Sequence, residues 1–139
     1  MIRRQRLPHN IEVRLTLLGE LLADDARIVF CYLFGGLARG RHTLLSDVDL
    51  AIYYEKPLDA ESRLDMYEQI ATCLGTDEID LVALNTAPLS LAGRILRNRR
   101  ILLDKQPLLR HAYESRVMRE FFDFARKERT MLFGRVTHG

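Results

Sequence analysis

The sequence predicts one α/β (α+β) domain, a small mixed β-sheet flanked by helices. Three observations carry this. Helical and strand periodicities alternate along the chain, the strand-like runs are short and bounded by turn residues, and 139 residues suffice for one core but not two ordinary ones. No internal repeat, low-complexity stretch or linker interrupts the pattern. The expected organisation is therefore a single domain over 1–139, with a core at 27–105 and a closing helix at 107–129.

Taken in order, Asn10 is placed to cap a helix to about Ala23, with Ile11, Leu15, Leu18 and Leu22 along one face. Arg27 to Phe34 is rich in β-branched and aromatic residues between Asp24-Asp25 and Gly35-Gly36, which predicts a buried strand. A short helix over Leu37 to Arg41 follows the glycine turn. Asp47 to Tyr54 alternates cleanly as a second strand. Pro57 and Asp59 open a helix carrying Leu64, Tyr67, Ile70, Ala71 and Leu74, and Gly75 stops it. Glu78 to Leu84 is a third strand, Pro88 to Asn98 a helix with Leu91, Ile95 and Leu96 inward, and Arg100 to Leu103 a fourth strand. Pro107 starts the last helix, with Leu109, Tyr113, Val117, Phe121 and Phe124 on an apolar stripe that either covers the chain's own sheet, the favoured reading, or faces a partner.

Composition narrows the class. Apolar residues at 47% and charged residues at 29% fit a soluble globular chain. No segment has the ~18 consecutive apolar residues of a membrane span, and the basic start lacks the apolar run of a signal peptide, so the cytoplasm is the expected location. Cys31 and Cys73 match no zinc spacing and read as structural. Eighteen of the 21 basic residues are arginine, whose planar donor fork suits phosphates and carboxylates, although a bias in base composition gives the same count.

The acidic residues in the strands point to chemistry. Alternation puts Asp47, Asp49, Ala51 and Tyr53 on one face and Val48, Leu50 and Ile52 on the other, which must be core. The two aspartates then lie about 6.6 Å apart along the backbone, close enough to converge on hard cations. Magnesium prefers such oxygen ligands and leaves positions for water and phosphate. Asp is disfavoured in strands, so two within three residues need a reason. Asp80, between Ile79 and Leu81, repeats the pattern, and an acid in an apolar strand must face a site or be paired. Three carboxylates suit two-metal nucleotidyl transfer, one ion orienting the triphosphate and the other activating the attacking hydroxyl. Upstream, Gly35-Gly36 ends a strand in a turn whose amides make an anion cradle. It is neither a Walker motif nor a dinucleotide fingerprint.

Ten residues, Leu37 to Ser46, separate Gly35-Gly36 from Asp47-Val48-Asp49. This resembles the G-S-x10-D-x-D signature of the polymerase-beta-like nucleotidyltransferase superfamily, and LFGGLARGRHTLLSDVDLAI resembles its minimal nucleotidyltransferase (MNT) branch. The likeness covers residues 27 to 105 closely. It implies that Asp47, Asp49 and Asp80 bind magnesium, two ions in all, and carry catalysis. It also implies that Gly35, Gly36, Arg39 and Ser46 lie on the nucleotide side of the site, although Ser46 alone reads as a turn or capping residue. Further implications are ATP as donor and a HEPN-domain ribonuclease toxin as partner, with AMP moved to a toxin tyrosine. A homodimer or hetero-oligomer with the toxin accompanies that reading; a membrane or a direct nucleic-acid substrate does not. One departure stands out: Gly36 replaces the signature's serine, and a hydroxyl bond to a charged oxygen is worth roughly 1.5–3 kcal/mol, which Arg39 or Arg41 would have to supply.

That departure keeps open an antitoxin that acts by contact alone. Transfer to a small molecule such as an aminoglycoside is a further alternative, for which the chain has no room for an extra substrate domain. The four histidines are scattered without metal spacing. Arg94, Arg97, Arg99 and Arg100 read as a solvated helix end, and Tyr53 as either a packing or a base-stacking residue.

Overall fold

The apolar run after Asp24-Asp25 forms the central strand. The computed structural model describes residues 9–40 and 48–138, and in it β1 (Ile28–Phe34) is buried from Ile28 to Leu33. Its neighbours are β2 (Val48–Tyr54) and β4 (Arg100–Asp104), both antiparallel to it, while β3 (Ile79–Ala83) runs parallel to β2 at the far edge. The order β3-β2-β1-β4 is the small mixed sheet expected. A parallel pair cannot be joined by a tight turn, and α3 (Ala60–Leu74) provides the crossover from β2 to β3.

Both faces of the sheet are covered. On one, Val48, Leu50 and Ile52 pack with Ile11, Leu15, Leu18 and Leu22 of α1 (Ile11–Ala23) and with Met66, Ile70 and Leu74 of α3. On the other, Phe30, Tyr32 and Ala51 pack under α4 (Leu89–Arg97) and α5 (Pro107–His138). The aspartate face of β2 is thus apolar core from Ala51 onward, and only its beginning is available to a site. The four-residue helix α2 (Gly35–Ala38) starts at the glycine pair itself, two residues earlier than expected.

Local chemistry accounts for the helix ends and for two corrections. Asp59 caps α3 by accepting from the Ser62 amide at 2.7 Å, and Gly75, at φ 73°, ends it in the left-handed conformation. Asn10 precedes α1 but does not cap it, because its Oδ1 accepts instead from Arg14 Nε at 3.0 Å. Leu64, expected inward, is 59% exposed, and Met66 takes its place in the i, i+4, i+8 set facing the sheet.

The last helix departs most from expectation. It runs to His138, past the expected end near Arg129. Tyr113 and Val117 are buried, but Leu109 is 37% and Phe124 56% exposed. A charged cluster fastens its first half. Glu114 accepts from the Tyr32 hydroxyl at 2.6 Å, from Arg99 at 2.6 Å and from Arg110 at 3.0 Å, while Arg110 also binds Asp104 at 2.7 Å. Burial alone would raise the Glu114 pKa; the bonds from Arg99, Tyr32 and Arg110 outweigh it and hold the value at about 2. Among the described residues no helix is long and apolar enough to cross a membrane.

Candidate active site

Asp49 lies one residue inside β2 and Asp80 one residue inside β3, and the parallel register makes them direct partners. Paired residues on adjacent strands are about 4.8 Å apart and point to the same face. The two carboxylates therefore meet on the face of Ala51 and Val82, at the end of the sheet that those helices leave open. Asp49 is half-buried and Asp80 exposed. The exposure corrects the argument from burial: β3 is an edge strand whose residues are at most half-covered, so Asp80 carries no large desolvation cost. What singles it out is its register with Asp49.

The glycine turn is built against the same carboxylate. Phe34 pairs with Asp49, so the chain leaves β1 beside it. Gly35 has φ 75°, a region only glycine enters freely. A Cβ at that position would lie 3.1 Å from Asp49 Cγ and overlap its Oδ2. Gly35 thus brings the backbone against the aspartate in a space no other residue leaves. Gly36 is within α2 and is not among the positive-φ glycines, so a side chain is conformationally acceptable there. Arg39 follows α2 and is exposed on the same connection. Ser46, Asp47 and Arg41 lie outside the described residues.

The donor set fits a hard divalent cation: two carboxylates in register beside a turn of backbone amides, all oxygen ligands on the acidic side. Among the described residues no group of three acidic, His or Cys side chains completes a metal site; the third carboxylate expected, Asp47, is not one of them.

Other candidates resolve into structure. Tyr53 stacks on Phe30 with ring centroids 4.8 Å apart, which favours its packing role. Cys31 is fully buried, and desolvation pushes its thiol up to about 12; Cys73 is half-buried, and both are free. Arg99 and Arg100 are not simply solvated, since they bind Glu114 and Glu12. Sequence reasoning missed Asn85, whose side chain bonds the Tyr54 N–H and C=O at 2.8 and 2.9 Å and so extends the ladder beyond the end of β3. A cavity of about 330 Å³ beside it is lined by Tyr54, Leu58, Arg63, Tyr67 and Leu81. Tyr54 and Leu81 face the α1/α3 side, so this cavity is not the aspartate site.

Comparison with known proteins agrees with this geometry. The family model "Polymerase beta, Nucleotidyltransferase" matches residues 18–108. The protein adenylyltransferase MntA of Shewanella oneidensis is 31% identical over 78 residues, so the chain spans about half the length of that relative, 55% of each protein being aligned. A toxin–antitoxin crystal structure with AMP-PNP superposes with a TM-score of 0.68 at 21% identity, covering 89% of this chain and 98% of that one. A tri-AMPylated Shewanella oneidensis HEPN toxin in complex with MNT antitoxin gives 0.66 at 20% identity, over 91% and 98%. These structures share the mixed sheet and flanking helices of the polymerase-beta-like fold. Because the matched stretch spans the glycine turn and both aspartate strands, the chain belongs to the polymerase beta nucleotidyltransferase family.

Proposed function

We propose that this chain is a magnesium-dependent protein adenylyltransferase that moves AMP from ATP to a tyrosine of a HEPN-type ribonuclease toxin and thereby neutralises it. The observation that carries the reading is the register pairing of Asp49 with Asp80 beside the positive-φ turn at Gly35. MntA carries the name of this activity, and the fold neighbours are toxin–antitoxin complexes, one with an ATP analogue and one with an AMPylated toxin. That relationship supports the donor and the partner.

Asp47, Asp49 and Asp80 would hold magnesium, which when bound screens the phosphate charge and lowers the pKa of the attacking hydroxyl. Amides at Gly35 and Gly36, with Arg39 and Ser46, would hold the triphosphate. The tyrosine oxygen attacks the α-phosphorus, the bond to the β-phosphate bridging oxygen breaks, and pyrophosphate leaves with its electron pair. Asp80 would take the tyrosine proton, a role that its exposure at the sheet edge supports. We assign the whole of residues 1–139 to this one domain.

The test is incubation of the chain with its HEPN partner and ATP labelled at the α-phosphate. Label bound to a partner tyrosine supports the reading. A neutralised partner without label favours the second reading, an antitoxin acting by contact alone, for which the missing hydroxyl at Gly36 is the specific observation.

A further inference from the structure

The helix α5 is longer than the body it covers. At 1.5 Å per residue its 32 residues span about 48 Å, roughly twice a seven-residue strand. Its inward stripe, Tyr113, Val117 and Phe121, is covered by the sheet and by Gly93 of α4, where a Cβ would overlap the Phe121 ring. The stripe then continues at helical spacing through Phe124 and Met131, with Leu132 beside it, and these are 56%, 62% and 60% exposed. Among the described residues no side chain buries this face.

A second uncovered apolar row lies across the sheet. Val13, Leu17 and Leu21 recur every fourth residue on the outer side of α1 and are 60%, 50% and 38% exposed. Leu21 borders a shallow groove against α3, walled by Asp65, Glu68 and Gln69. The two layers differ in charge: α1 and α3 hold five acidic residues against two arginines, whereas α4 and α5 hold nine Arg and Lys against four acidic residues. The overhang carries Arg126, Lys127 and Arg129 with Glu128 among them, and stays net positive although Arg126 also pairs with Asp123; beside the outer row stand Glu20, Glu68 and Asp65, the last shared with Arg27. Apolar rows of matching spacing with complementary flanks fit helix against helix.

We propose that the overhanging end of α5 docks on the outer face of α1 and α3 of a second copy of this chain. The overhang of each copy meets the groove of the other, and this reciprocal exchange closes a two-fold pair. Acidic groups facing the overhang from both packed elements make the contact weaken with salt, as screened charges do.

The variants Leu17→Glu and Phe124→Glu/Met131→Glu alter exposed side chains, and unchanged thermal melting shows that each folds. Sedimentation velocity should give a parent mass that rises with concentration and falls at high salt, with each variant at least tenfold weaker in self-association. Mixing the two variants should restore a two-chain species, since one has an intact overhang and the other an intact groove. A parent that stays monomeric at high micromolar concentration and low salt overturns the proposal. So does association that neither variant alters, or variants that lose only the HEPN partner, which would give these surfaces to that protein.

Discussion

A methyl group at Gly35 would occupy the space of the Asp49 carboxylate. The φ of 75° adds a backbone penalty of roughly 1–2 kcal/mol for any L side chain. Gly35→Ala should therefore displace the aspartate as well as strain the turn, and an ångström of misplacement is worth about a hundredfold in rate. Steady-state kinetics should find at least that loss while the melting temperature falls only a few degrees. Gly36 behaves differently, because its backbone accepts a side chain. Gly36→Ser should tighten ATP binding by roughly 1.5–3 kcal/mol, about ten- to a hundredfold, read by calorimetric titration; unchanged affinity would place the phosphates away from this turn. At this scale the sequence exposed the aspartates through alternation and local spacing. It did not expose why Asp80 belongs with Asp49, because register between strands thirty residues apart depends on the α3 crossover.

The first half of α5 is held by the Glu114 cluster, and that makes its docking sensitive to acid. The folded pKa of about 2 lies below the ordinary 4.5. The cluster therefore contributes fully above about pH 4.5, and its contribution is lost as pH falls from 4.5 towards 2. Glu114→Gln should destabilise the chain by roughly 1–3 kcal/mol at neutral pH, by leaving Arg99 without its carboxylate and Arg110 with Asp104 alone. It should also flatten the acid limb of stability between pH 4.5 and 2, measured by denaturant melts across that range. An unchanged acid limb would mean that the cluster does not hold the helix. Element type followed from periodicity for every helix and strand, but inner faces did not always follow. Leu64 and Met66 are both apolar on α3, and only packing against α1 and the sheet selects Met66. The end of α5 was hidden for a similar reason, since an apolar stripe reads the same whether or not a core lies beneath it.

Over the whole molecule, two helical layers of opposite charge enclose a mixed sheet, and the paired carboxylates sit where its parallel strands begin. Sheet order was not legible in the sequence. The mixed class was, because a parallel pair needs a long crossover connection, and the helix between β2 and β3 supplies one where the short α2 between β1 and β2 does not. In the proposed reaction the paired aspartates divide the labour: Asp49 would hold the nucleotide and its metal, and Asp80, beside the same metal, would chiefly serve the proton transfer. The most direct measurement is single-turnover transfer of α-labelled AMP to the HEPN partner, with ATP binding titrated in parallel, for the parent, Asp49→Asn and Asp80→Asn. The account predicts that Asp49→Asn loses magnesium-dependent ATP binding, whereas Asp80→Asn binds ATP within a few fold of the parent but transfers it about a hundredfold more slowly or worse. Transfer by Asp80→Asn at the parent rate would contradict it.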